Sequence, residues 1–186
     1  MQPFIKYTDF EGMMEQPDNI VIRKMSDMVS AYVDANNAKQ RAENDDPIIY
    51  EMLEASVPLT VGELMFCTTK MYPGTVGHEY FMTKGHYHED PATAEIYYTI
   101  SGRGMLLAET TDKRHIALEM KKGSIIHVEP GWAHRTYNTG SEPLVFLAIY
   151  PATAGHDYKT IEQEGFEHTV VQEADGPVVI RKANLL

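Results

Sequence analysis

The chain has 186 residues, 43% of them apolar, with 27 acidic against 16 basic side chains and a formal net charge of -11. That length can bury one sizeable core, and the negative balance disfavours nucleic acid or an anionic membrane as partner, since both need a positive field. No run approaches the roughly 18 apolar residues of a spanning helix, and no charged stretch followed by an apolar one opens the chain, so a cytoplasmic protein is expected.

In chain order, residues 25–41 (MSDMVSAYVDANNAKQR) set Met25, Met28, Val29, Tyr32 and Val33 at helical spacing behind Ser26 as N-cap. This pattern predicts one amphipathic helix. AENDDP then breaks it, because Asn, Asp and Pro favour turns and Pro47 restricts the residue before it. Residues 1–56 are thus expected to form an N-terminal segment that covers one opening of the remaining fold or joins a partner copy.

From residue 57 to 186 the texture changes to short apolar or alternating segments separated by Gly, Pro and Asp, among them LTVGELMFCTTKMY, EIYYTISGRGMLLAE and HTVVQEADGPVVIRK. With no helical pattern between them, these predict an all-β antiparallel sandwich or barrel, and Asp175-Gly176 reads as a two-residue hairpin. No fixed repeat or low-complexity tract is present. The single cysteine, Cys67, cannot form an internal disulfide and reads as a small buried hydrophobe in a reducing compartment.

One stretch, TKGHYHEDPATAEIYYTISGRG (83–104), does not read as plain sheet. Alternate strand residues share a face, so His86 and His88 project together and Tyr87 faces away. After the turn-forming EDPAT, an antiparallel return starting near Glu95 brings its carboxylate back beside the two rings. Tyr97 then shares the face of Glu95 and lines the same space. A fourth donor stands in PGWAHRTYN (130–138), where Pro130-Gly131 makes a turn and His134 opens a strand. Three imidazoles and one carboxylate suit a divalent first-row metal and suit calcium poorly. Trp132 is read as packing at the mouth, and His78, His115, His127 and His168 as surface or packing residues.

GHYH…E…G followed by PGWAH…N resembles the two cupin motifs, the mark of a double-stranded β-helix barrel, jelly-roll-like, with a metal inside. Two departures from the usual pattern, six residues between His88 and Glu95 and Pro-Gly in place of Pro-x-Gly, point to one branch. Across roughly residues 20–180 the chain resembles the cupin-type phosphoglucose isomerases of archaea. The resemblance implies a homodimer that interconverts D-glucose 6-phosphate and D-fructose 6-phosphate. It also implies one divalent ion per subunit, Fe2+ foremost and Ni2+, Mn2+ or Zn2+ as alternatives, held by His86, His88, Glu95 and His134. By the same resemblance Glu95 is also the base. Thr69, Thr83, Gly85 and Tyr150 bind the phosphate end, while His156 and Tyr158 stand near the sugar, His156 assisting ring opening.

Ligand and base are competing roles for Glu95, because a bound cation lowers a carboxylate's basicity. Two routes therefore stay open, a proton shuttled by Glu95 through a cis-enediol and a hydride passing directly between C1 and C2. A cupin metal-dependent oxygenase, a sugar-binding cupin without catalysis and an isomerase of mannose 6-phosphate are the rival readings.

Overall fold

Asp34, and not Ser26, caps the helix of the N-terminal segment. In the computed structural model, which describes residues 2–185, the stretch expected as one helix over 25–41 breaks into 3-10 turns at Met25–Asp27 and Val29–Ala31 before α1 (Ala35–Asn44). The Asp34 side chain accepts from the Asn37 N–H at 2.9 Å, whereas the Ser26 N–H is drawn off to Asp46 at 2.9 Å. Met25 and Met28 are buried all the same, because a spacing of three suits a 3-10 turn as well as an α-helix.

Strands make up most of the rest. They are β1 (Asn19–Lys24), β2 (Ile48–Glu54), β3 (Leu64–Met71), β4 (Thr75–Val76), β5 (Glu79–Tyr80), β6 (Glu95–Ser101), β7 (Arg103–Glu109), β8 (His115–Lys121), β9 (Ile125–Val128), β10 (Ala133–Asn138), β11 (Leu144–Pro151), β12 (His168–Glu173) and β13 (Gly176–Arg181). The short helix α2 (Tyr158–Glu164) stands between β11 and β12. All pairing is antiparallel, in a six-stranded sheet ordered β1-β2-β3-β11-β6-β9, a three-stranded sheet β10-β7-β8 and a four-stranded sheet β13-β12-β5-β4. Among the described residues the strands do not close into one continuous hydrogen-bonded cylinder. The N-terminal segment contributes β1 and β2, which its sequence pattern did not announce, to the largest sheet.

Between the sheets lie Met71, Met82, Leu106, Leu107, Tyr137 and Leu144, all fully buried and each worth about 1.5–3 kcal/mol of transfer free energy for an aliphatic or aromatic side chain of this size. Turn chemistry sets the corners. Gly102, at φ 81°, links β6 to β7, and a Cβ there would stand 2.4 Å from the Pro143 carbonyl oxygen. At the last hairpin Glu173 pairs with Gly176, so the two-residue loop is Ala174-Asp175 and the expected Asp-Gly turn moves by one residue. Gly176, at φ 123°, supplies the backbone freedom on the strand side of that loop.

Candidate active site

Successive side chains of a strand face opposite ways, and one face of the six-stranded sheet looks into a cavity of about 270 Å³. On β6 that face carries Glu95 and Tyr97, and on β11 it carries Ala148 and Tyr150. Across the cavity the segment after Met82 runs beside β10. His86 and His134 exchange backbone hydrogen bonds, with N···O distances of 3.3 and 3.1 Å, which sets their side chains next to each other.

The four donors expected from the sequence meet here. One nitrogen of each of His86, His88 and His134 and one oxygen of Glu95 lie within 4.8 Å of one another. Nε2 of His88 is 3.1 Å from Glu95 Oε2, and Nε2 of His134 reaches the same oxygen at 2.9 Å. The other ring nitrogens are tied down outside the cluster. His88 Nδ1 faces the Thr93 carbonyl at 3.1 Å and His134 Nδ1 faces that of Trp132 at 3.3 Å. When each Nδ1–H donates outward, both Nε2 lone pairs are free to face inward, the arrangement by which outer partners orient metal-binding imidazoles, and in its other protonation state His88 donates Nε2–H to Glu95 Oε2. His86 Nε2 is buried with no hydrogen-bond partner among the described residues. A buried orphan beside two inward lone pairs and a carboxylate fits a bound cation and fits a purely structural cluster badly.

Electrostatics point the same way. Burial, followed by the charges of His134 and His156, pushes the His86 imidazole well below its ordinary value, so it stays neutral as a ligand must. Burial would raise Glu95, but the adjacent imidazoles, His134 first and then His88, outweigh it and hold the carboxyl well below its usual range. For His88 burial works downward, and its bond to Glu95 carries the net shift upward. Burial, then the Glu95 charge, pushes the Tyr97 phenol far up, which keeps it a neutral hydrogen-bonding group.

The remaining expected residues line the same cavity. His156 sits with its ring 4.5 Å from that of His86 and stacks on Tyr158 at 5.6 Å with 6° between planes. Burial lowers its pKa from the ordinary histidine value. Thr69 projects from β3. Thr83 Oγ1 accepts the Thr136 N–H at 3.0 Å, which leaves its hydroxyl proton for a ligand. Gly85, at φ 75°, passes so close to Phe166 that a Cβ would meet the ring at 2.7 Å, so this loop depends on glycine. Tyr150 differs in one respect from the expectation of a phosphate-binding hydroxyl. Its O–H donates to Glu54 Oε1 at 3.4 Å, and two anions would have to share that corner.

Three polar lining residues were not singled out in the sequence, Arg23 on β1 and Tyr50 and Glu54 on β2, and Lys84 beside Gly85 also lines the cavity. The available signal was the alternation Tyr50, Met52, Glu54 within IIYEMLE, which puts all three on one strand face. His127 is exposed on β9, away from the cluster, and His78 and His115 are also exposed. His168 is buried beside Glu109. Trp132 is partly buried against the core, with the Arg114 guanidinium 5.6 Å from its ring centre. Cys67 is buried on the cavity face of β3, and burial, then the charges of Glu95 and Glu54, pushes its thiol far up.

Known proteins share both the sequence and the fold. The family model described as Glucose-6-phosphate isomerase (GPI) matches residues 22–185. A glucose-6-phosphate isomerase of Thermococcus litoralis is 45% identical over 181 residues, covering 97% of this chain and 94% of the relative. A putative glucose-6-phosphate isomerase 2 of Rhizobium meliloti is 34% identical over 170 residues, covering 89% and 85%. Among solved structures, an oxalate oxidase aligns with a TM-score of 0.51 at 13% identity, covering 63% of this chain and 58% of that one. This last likeness concerns the fold alone, which is of the cupin type. By its family match and these relatives, the chain belongs to the glucose-6-phosphate isomerase family.

Proposed function

We propose that this chain interconverts D-glucose 6-phosphate and D-fructose 6-phosphate in the cavity that holds His86, His88, Glu95 and His134. The observation that carries the site assignment is the convergence of three imidazoles and a buried carboxylate in a chain of this family. His86, His88, Glu95 and His134 would hold one divalent ion, Fe2+ first, with Ni2+, Mn2+ or Zn2+ as alternatives on the same N and O donors. Such an ion supplies Lewis-acid polarisation of the sugar oxygens when bound.

The side chains do the rest. Glu95 is the base for the proton on C1 or C2, and its place 3.1 Å and 2.9 Å from two imidazoles keeps it ionised at the cost of basicity. Its efficiency then rests on holding the open-chain sugar in contact with it. Tyr97 and Tyr158 bind sugar hydroxyls with neutral phenols, and His156, stacked on Tyr158, passes the proton released on ring opening. Thr69, Thr83 and the Gly85 backbone take the phosphate end. Tyr150, bonded to the Glu54 carboxylate, is assigned to the sugar hydroxyls.

The protein works as a homodimer in the cytoplasm, without nucleic-acid or membrane partners, and residues 1–56 cover the barrel unit 57–186 or meet the second copy. Among the described residues no helix is long and apolar enough to cross a membrane. The test incubates the purified chain with fructose 6-phosphate and couples glucose 6-phosphate to its dehydrogenase, before and after chelation. Turnover that falls with chelator and returns with a divalent ion is expected. An active enzyme indifferent to chelation would refute the metal, and no turnover in any metal would refute the isomerase. Substrate deuterated at C2 that loses its label to water would favour the enediol route.

A further inference from the structure

A dianionic phosphate entering a protein of net charge -11 needs a cation at the site itself. Two cationic side chains, Arg23 and Lys84, line the cavity. Lys84 is already neutralised, its Nζ 2.6 Å from Glu162. Arg135 lies behind the loop, donating to the Lys84 carbonyl at 2.6 Å and packed 4.5 Å over the Phe166 ring, but does not line the cavity. Arg23 is different. It is half-buried, faces the cavity, and has no carboxylate within ion-pairing distance among the described residues.

Sheet register locates it. Arg23 pairs with Tyr50 across β1 and β2. Glu54 lies four residues further along β2, about 13 Å away at roughly 3.3 Å per residue, a span suited to an open-chain hexose phosphate. The Glu54 end is acidic and holds Tyr150. At the other end Arg23, paired with Tyr50, lines the same cavity as Thr83, Lys84 and Gly85.

We propose that Arg23, on the β1 edge strand, binds the phosphate of the sugar substrate and makes the site selective for phosphorylated over free hexose. A guanidinium offers a planar fork to two phosphate oxygens, and an uncompensated one in a half-buried cavity has no competing anion to leave. This deepens the isomerase reading and rests on it for the identity of the substrate.

The test uses the full-length, metal-loaded chain and its Arg23→Gln and Arg23→Lys variants. Arg23→Gln is expected to raise the KM for fructose 6-phosphate about 10- to 100-fold with kcat within about three-fold, and to weaken competitive inhibition by inorganic phosphate by the same factor. Arg23→Lys should recover part of both. An unchanged KM and unchanged phosphate inhibition would overturn the proposal, as would a loss confined to kcat, which marks a structural role. Should the Gln variant fail to fold, the Lys variant decides by the same two readouts. Calorimetric binding of inorganic phosphate to wild type and variants keeps the tests apart. An inactive wild type whose phosphate binding still depends on Arg23 would sink the isomerase reading and leave this inference standing.

Discussion

The molecule buries histidine beside glutamate twice, and the two places behave as opposites. Glu95 and Glu109 are equally hidden, 3% and 2% exposed, so burial does not distinguish them. Partners do. Glu109 Oε1 accepts the His168 N–H at 2.8 Å and faces His168 Nδ1 at 3.0 Å, while Oε2 accepts the Glu167 N–H at 2.9 Å. Each oxygen is satisfied by β12 and the residue before it, and the stacked ring of His115, 3.6 Å away, closes the outside. Glu95, by contrast, faces the Nε2 atoms of His88 and His134 through one oxygen, and among the described residues neither His86 Nε2 nor His134 Nε2 has a hydrogen-bond partner. A saturated cluster locks strands together, whereas an unsaturated one keeps donors in hand for a ligand.

The largest expected effect breaks the unsaturated member of this pair. Glu95→Gln should lower kcat by at least about 1,000-fold while the thermal midpoint stays close to wild type, because the shape is kept and the proposed base is lost. The coupled isomerase assay and a thermal melt read both quantities. His127→Ala, at an exposed site on β9, should leave turnover within about two-fold in the same assay, and equal losses for the two variants would move the site elsewhere.

Glu109→Ala should show the reverse profile. Three donors lose their acceptor, so stability falls by about 3 kcal/mol in urea unfolding, while kcat of the folded fraction changes less than about two-fold. A Glu109 variant that folds as well as wild type yet cannot turn over substrate would erase the distinction between the clusters.

The smallest effect sharpens the structural side. Lys182 donates to the Ala31 carbonyl at 3.3 Å, and burial, then the Arg135 charge, pulls its pKa from 10.5 down to about 8 against the charges of Glu79 and Glu109. Between those values the unfolded chain binds the proton that the folded chain gives up, so this group adds stability as pH rises from 8 toward 10.5. Below pH 8 both states are protonated and its contribution is constant. The raised Cys67 thiol acts in the opposite sense above pH 9, so the quantity to measure is a difference. Wild type minus Lys182→Met, followed by urea unfolding across pH 7 to 10, should rise by about 1 kcal/mol.

The His86, His88, Glu95 and His134 cluster was legible because its members announce themselves locally. His86 and His88 alternate, Glu95 opens the next strand after a turn, and His134 follows Pro130-Gly131. The cavity's other wall was not legible. Arg23, Tyr50 and Glu54 join it only because β1 and β2 extend the sheet beyond β3, a long-range pairing that no local pattern encodes. The helix was misplaced for a related reason. Its apolar spacing of three suited two geometries, and the choice fell to a contact with Asp46, twenty residues away.

The strand order carries one more consequence. β11, residues 144–151, lies between β3 and β6, so the strand that joins the two halves of the large sheet is synthesised after every other strand of that sheet. Until it emerges, β3 and β6 each present an unpaired backbone edge, and the wall formed by β1, β2 and β3 cannot be joined to the one formed by β6 and β9. Nascent or truncated chains ending before residue 144 should therefore be sticky intermediates, dependent on chaperones and devoid of a ligand cavity.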